Sequence, residues 1–152
     1  MARLGVLSPA MIRASMLGAT LLVAVTTAAV AQAGPGSLAD AAERARAAWQ
    51  VKDVAGLLTG SDTVQVQLPG GDPAAPMNPE QAGRVLARHL EGVEERSVVV
   101  VAVREVGAGR GYAELERHFL IARTRDERCE SVFLGFRRVG GRWVVSEVRI
   151  TR

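Results

Sequence analysis

Glu114, Glu116 and His118 stand at two-residue spacing with Leu120 after them, and no other stretch of the chain comes closer to a catalytic set. An imidazole beside a carboxylate can act as a general base, because the negative charge favours the protonated ring. On an extended strand these three share one face, while Leu115, Phe119 and Ile121 share the other. The apolar set wants the core, so the plainer reading of Glu116 and His118 is a solvent-facing polar row. Two carboxylates and one imidazole could also touch a metal ion. The sequence places neither a second histidine nor a further acid beside them, so no metal site is expected. Arg117 interrupts the apolar face, and a guanidinium there must be paired or must reach an opening. Glu147 sits on the face of Trp143 and Val145 in the last strand. Paired with Arg117 and flanked by Trp143, it would give a polar floor for an anionic ligand; a strand bulge that turns Arg117 or Glu147 outward is the plainer explanation.

The remaining candidates point away from catalysis. Gly107, Gly109 and Gly111 resemble a dinucleotide loop, but a strand follows and Tyr112 stands where a third glycine should be, so the segment is a hairpin turn. His89 falls near a helix C-terminus, where a cation interacts well with the helix dipole. Ser131 and Ser146 have no histidine placed to activate them. Cys129 is the single cysteine, which excludes an intrachain disulfide, and it is expected to pack as a small apolar side chain.

The elements that must position these residues are legible in the periodicity. Ser37 caps a helix in which Leu38, Ala41, Ala42, Ala45, Ala48 and Trp49 form one stripe, with Asp40–Arg44 and Glu43–Arg46 pairs outside. Asp53 to Leu58 continues it or forms a second short helix ended by Gly60. Thr63 to Leu68 alternates as a half-buried strand. Asn78-Pro79-Glu80-Gln81 starts a helix whose buried stripe is Ala82, Val85, Leu86, Leu90 and Val93. Four strands follow: Val98–Val106, Tyr112–Thr124, Cys129–Val139 and Arg142–Thr151, the last two joined by Gly140-Gly141. That hairpin sets Arg138 opposite Trp143, Phe136 opposite Val145 and Phe133 opposite Val148. Both faces of the pair carry large apolar groups, so one face lies under the helices and the other meets a second copy or a partner.

Arg3 and Arg13, an apolar run from Ala14, and Ala31-Gln32-Ala33 read as a secretory signal peptide over residues 1–33, cleaved before Gly34. Residues 34–36 are then a linker and 37–152 one domain of a secreted or periplasmic protein, with no stable membrane insertion after cleavage; Met1 or Met11 could be the start. Loss of Arg3 and Arg13 takes the 19 basic residues to 17 against an unchanged 16 acidic ones. That balance, and the lack of a basic patch interleaved with aromatics, exclude nucleic acid as a partner.

Helix, strand, helix and a four-stranded meander ending in Gly-Gly-Arg-Trp-Val-Val (residues 140–145) resembles the nuclear-transport-factor-2-like superfamily over residues 37–151. The resemblance implies an α+β cone, with N-terminal helices on a strongly bent antiparallel sheet around a cavity, and often a dimer through the sheet. Within it the chain is similar to short exported bacterial families of unassigned function. Enzymes of the superfamily place Asp, Tyr or His inside the cone, and no such set is matched here: the meander strands hold no Asp, and Tyr112 sits beside a turn. The expectation is a non-enzymatic binding or interaction module without a cofactor, using its cavity for a small molecule or its sheet face for a homodimer or an envelope partner. The alternatives are an isomerase- or dehydratase-type enzyme using His118 with Glu116, and a structural subunit of an envelope assembly.

Overall fold

A computed structural model describes residues 36–152. The signal peptide expected over 1–33 lies outside the described residues, as do Gly34 and Pro35 of the expected linker. The elements run α1 (Leu38–Gln50), α2 (Val54–Leu57), β1 (Gln65–Gln67), α3 (Pro79–His89), β2 (Val93–Gly107), β3 (Arg110–Ile121), β4 (Glu127–Val139) and β5 (Arg142–Thr151). Each helix begins on a side chain that satisfies an otherwise unpaired backbone donor. The Ser37 hydroxyl accepts from the Asp40 N–H at 3.1 Å, Asp53 from Gly56 at 2.8 Å and Asn78 from Gln81 at 2.8 Å. Among the described residues no helix is long and apolar enough to cross a membrane.

The sheet order is β1-β5-β4-β3-β2. The four long strands are antiparallel, as the meander requires, but the short β1 joins the edge parallel to β5, so the sheet is mixed rather than wholly antiparallel. Both tight hairpins turn on a two-residue loop at positive φ, Ala108 (47°) with Gly109 (69°), preceded by Gly107 (92°), and Gly140 (54°) with Gly141 (79°). This is the turn whose twist matches the flanking strands. Gly111 has a different reason. A Cβ there would come within 2.3 Å of the Leu38 side chain, so α1 reaches the sheet only over bare backbone.

Interruptions of pairing bend the sheet. β2 slips register between Glu95 and Ser97, between Val100 and Ala102, and between Glu105 and Gly107. In β5, Gly135 faces Glu147 while Phe136 faces Val145, which leaves Ser146 as an extra residue. Each extra residue kinks its strand and increases the twist. The concave side receives the helices. Trp49 of α1, Leu86 of α3 and, from the sheet, Leu115, Val132, Leu134, Val148 and Ile150 make the fully buried centre.

Two expectations are corrected here. The Ser146 bulge sets Phe133 opposite Arg149 instead of Val148, although the Arg138–Trp143 and Phe136–Val145 pairs stand. The sheet also begins earlier than expected. Gly92 at φ 72° ends the α3 segment, and Val93 opens β2, so Val93 belongs to a strand and not to the helical stripe.

Candidate functional site

β3 distributes its charged residues between the two faces by strict alternation. Leu115, Arg117 and Phe119 point under the helices and are buried, while Glu114, Glu116 and His118 point away from them. The pair read as a general base therefore stands outside the cone. His118 Nε2 lies 3.1 Å from Glu116 Oε1, with side chains 38% and 47% exposed. An enzyme that used this pair within a cavity is not what the geometry provides.

Arg117 is neither turned outward by a bulge nor paired with Glu147. It is fully buried and held by two carboxylates. Its Nε and Nη2 donate to Glu95 at 3.2 and 2.5 Å, and its Nη1 donates to Glu130 at 3.2 Å. Glu130 is its direct partner on β4, and the β2 bulge at Arg96 allows Glu95 to face inward together with Val98. The guanidinium also lies 4.0 Å from the centre of the Phe119 ring and 5.7 Å from that of Trp49, within the range of a cation–π attraction. His89, at the end of α3, closes the cluster with Nε2 3.4 Å from Glu130. Burial pushes the Glu95 carboxyl above its ordinary value, further than the Arg117 charge holds it down.

Glu147 points out of the core because Ser146 shifts the phase of β5. It pairs with Arg149 at 3.3 Å, and Arg149 in turn covers the Phe133 ring at 4.5 Å. The polar floor expected from Arg117 and Glu147 does not form. Cys129 does not pack as a core residue either. It is exposed, directly opposite His118, with Sγ 3.9 Å from His118 Nε2.

Of the expected ligand-contacting residues, Glu147 lines a shallow surface hollow beside Tyr112 and Phe133, and Trp143 lines a deeper cavity. A space of about 490 Å³ lies between α1, α2 and the β4–β5 hairpin, walled by Ala45, Leu57, Phe136, Trp143 and Val145. The α1 alanines create it, because they hold the helix close to the sheet without filling the gap beside Trp143. Among the described residues that line it, the charged ones are Arg44 and Arg142, and none is a carboxylate, imidazole, thiol or phenol. The expected Arg46–Glu43 pair forms at 2.8 Å on the outside of α1, whereas Arg44 turns to the cavity.

Sequence reasoning missed Glu95 and Glu130, and it read Cys129 as a packed thiol instead of a neighbour of His118. Glu95 lay in a polar stretch between two elements, and only a bulge turns it inward. Glu130 and Cys129 could have been found by counting register back from the β3–β4 hairpin tip.

No family model matches the chain, and no curated protein matches it. Solved structures do. A ketosteroid isomerase-like protein from Erwinia carotovora atroseptica superimposes with a TM-score of 0.61 at 16% identity, over 75% of this chain and 92% of that one. A DUF4783 family protein from Bacteroides ovatus gives 0.60 at 11% identity, over 72% and 92%. A putative dehydratase of the NTF2-like family from Streptomyces avermitilis gives 0.55 at 12% identity, over 74% and 91%. At such identities the likeness is one of fold. The chain has the nuclear-transport-factor-2-like α+β cone fold, with helices on a curved, mixed five-stranded sheet.

Proposed function

We propose that this is a small, exported, non-enzymatic binding module, and that its ligand is an apolar body with an anionic end. One observation carries the reading. The 490 Å³ cavity is walled by aromatic and aliphatic groups, with Arg44 and Arg142 as its charged residues among those described. Its size and lining suit a small molecule. Acid–base catalysis needs a group that exchanges protons near neutral pH, and a guanidinium does not. The same fold serves proteins described as isomerase-like and dehydratase, so fold alone decides nothing about chemistry. Export is supported by the sequence of residues 1–33.

A second reading, acid–base chemistry at Arg117, draws on its two carboxylates and the raised Glu95 carboxyl. It is weaker, because the side chains of Arg117, Glu95 and Glu130 are only 0%, 2% and 7% exposed, and a substrate would have to displace core packing to reach them.

The test is native mass spectrometry of the protein isolated from its own envelope fraction, with its N-terminus sequenced. The expected result is a chain that begins at Gly34 and carries a reproducible small-molecule adduct. Replacing exposed Thr59 at the cavity mouth by Trp should remove that adduct. A bare dimer, or a complex with another protein, would overturn the cavity reading and transfer the role to the sheet, where Val99 and Val101 of β2 stand exposed.

A further inference from the structure

We propose that the outer face of the sheet carries a binding site for a borderline-soft divalent cation such as Zn²⁺, formed by Glu116, His118 and Cys129. The three offer an oxygen, a nitrogen and a sulfur whose ligand atoms all lie within 4.8 Å of one another. Two of the separations are 3.1 Å, Glu116 Oε1 to His118 Nε2, and 3.9 Å, His118 Nε2 to Cys129 Sγ. Around tetrahedral zinc, with bonds of about 2.0–2.3 Å, ligand atoms stand about 3.3–3.6 Å apart. These two separations bracket that range to within a few tenths of an ångström, and the third pair, Glu116 with Cys129, lies within 4.8 Å, so rotation of the exposed side chains by about an ångström closes the set.

The backbone makes the arrangement specific. Glu116 and His118 are two residues apart on one face of β3, and Cys129 is the direct cross-strand partner of His118 on β4. Side chains so placed diverge little, because directly opposed residues in an antiparallel pair have Cβ atoms about 5 Å apart. β3 and β4 are interior strands of the sheet, so the platform is held on both sides. The ligand atoms are partly exposed, which leaves the fourth position of a tetrahedral ion to water. A thiolate and an imidazole select zinc or cobalt over magnesium or calcium, which prefer oxygen cages.

The composition makes the test clean, because Cys129 is the only cysteine and His89 the only other histidine in the chain. Reduced, untagged protein is titrated with Co²⁺ and followed by absorption, and Zn²⁺ affinity is measured by competition with a chromophoric chelator. One Co²⁺ per chain should bind with a thiolate-to-metal charge-transfer band in the near ultraviolet. Zn²⁺ should displace it, and excess Mg²⁺ should not. Cys129→Ser should abolish the band, and Cys129→Ser or His118→Ala should lower zinc affinity by more than the about 10–100-fold that loss of an outer partner typically causes. His89→Gln should leave affinity unchanged. Cys129 and His118 are outside the core, so both variants should melt like the wild type in a chelator, which separates a lost site from a lost fold. No charge-transfer band in the wild type, unchanged affinity in Cys129→Ser or His118→Ala, or one metal per two chains would each overturn the site.

Discussion

Arg117 and Glu95 meet side-on inside the fold, with Nε and Nη2 of the guanidinium donating to the two oxygens of one carboxylate at 3.2 and 2.5 Å. The residues belong to adjacent antiparallel strands, and a third strand supplies Glu130 to the remaining nitrogen. A guanidinium presents its donors as a rigid planar fork, so this contact fixes the relative position of three strands more narrowly than apolar packing would. It also brings two negative charges and one positive charge into a site sealed by Trp49 and Phe119.

Breaking one arm of such a cage is costly, because the remaining charges stay buried without a partner. Arg117→Met should destabilise the domain by roughly 3–5 kcal/mol in urea unfolding, a large share of an ordinary domain's stability. Arg117→Lys should recover only part of that, since an ammonium cannot reproduce the fork. The triple variant Arg117→Met, Glu95→Leu, Glu130→Leu should return to within about 1 kcal/mol of the wild type or exceed it. A triple variant no better than Arg117→Met would mean that the ions themselves stabilise the fold.

The raised Glu95 carboxyl gives the cage a pH signature. Between the ordinary carboxylate pKa and the raised folded value, the folded state holds a proton that the unfolded chain has lost. Its contribution to stability is therefore fully present below the unfolded pKa and is lost as pH rises through the folded one. Glu95→Gln mimics the protonated acid and lacks this dependence. Unfolding followed from about pH 4 to 7 should show the wild type losing stability relative to Glu95→Gln as pH rises. A wild type that gains on the variant would mean that the Arg117 charge outweighs burial.

The hydrophobic and turn patterns carried most of the fold. The α1 stripe, the caps Ser37 and Asn78, and the glycine hairpin at 140–141 all appear where periodicity and turn chemistry put them. What they could not carry was phase. Simple alternation sends Glu147 inward and Glu95 to the opposite face from Val98, and an extra residue in each strand reverses both assignments. In β5 the switch of apolar parity from Trp143 and Val145 to Val148 and Ile150 is the only trace the bulge leaves in the sequence, and β2 carries no such trace because Val98 to Val101 is apolar at every position. The site followed the same division. Arg117 was recognisable as an anomaly from its own strand, whereas its partners lie 22 and 13 positions away and become visible only through register.

The cavity at Trp143 should distinguish charge from shape. If Arg44 and Arg142 receive an anionic end, a fatty-acid probe followed by tryptophan fluorescence should bind more weakly to Arg142→Ala and to Arg44→Ala, by no more than about fivefold each, because exposed ion pairs are worth up to about 1 kcal/mol. The loss should shrink with added salt. The corresponding alcohol should bind wild type and variants alike, and Thr59→Trp should exclude both probes. Equal weakening of acid and alcohol in the arginine variants would remove the anionic specificity and leave a purely apolar pocket.

Ser146 offers a test of how the curved sheet is specified. It is the extra residue between Val145, opposite Phe136, and Glu147, opposite Gly135. Trp143 and Val145 before it, and Val148 and Ile150 after it, all face the core. Without Ser146 the strand would alternate regularly, and those four residues would still share one face. Deleting Ser146 should therefore be tolerated at a cost of about 1–2 kcal/mol, chiefly its hydroxyl bond to the Gly135 carbonyl at 3.3 Å and the local bend. Deleting Val144, one turn of the pleat earlier, should throw Val145 outward and bring Ser146 in, with a loss of about 3 kcal/mol or more. The flatter strand left by the Ser146 deletion should also reshape the wall formed by Trp143 and Val145 and weaken probe binding in the cavity. Equal destabilisation by the two deletions would show that the bulge is needed for the fold itself, beyond keeping the two halves of β5 in phase.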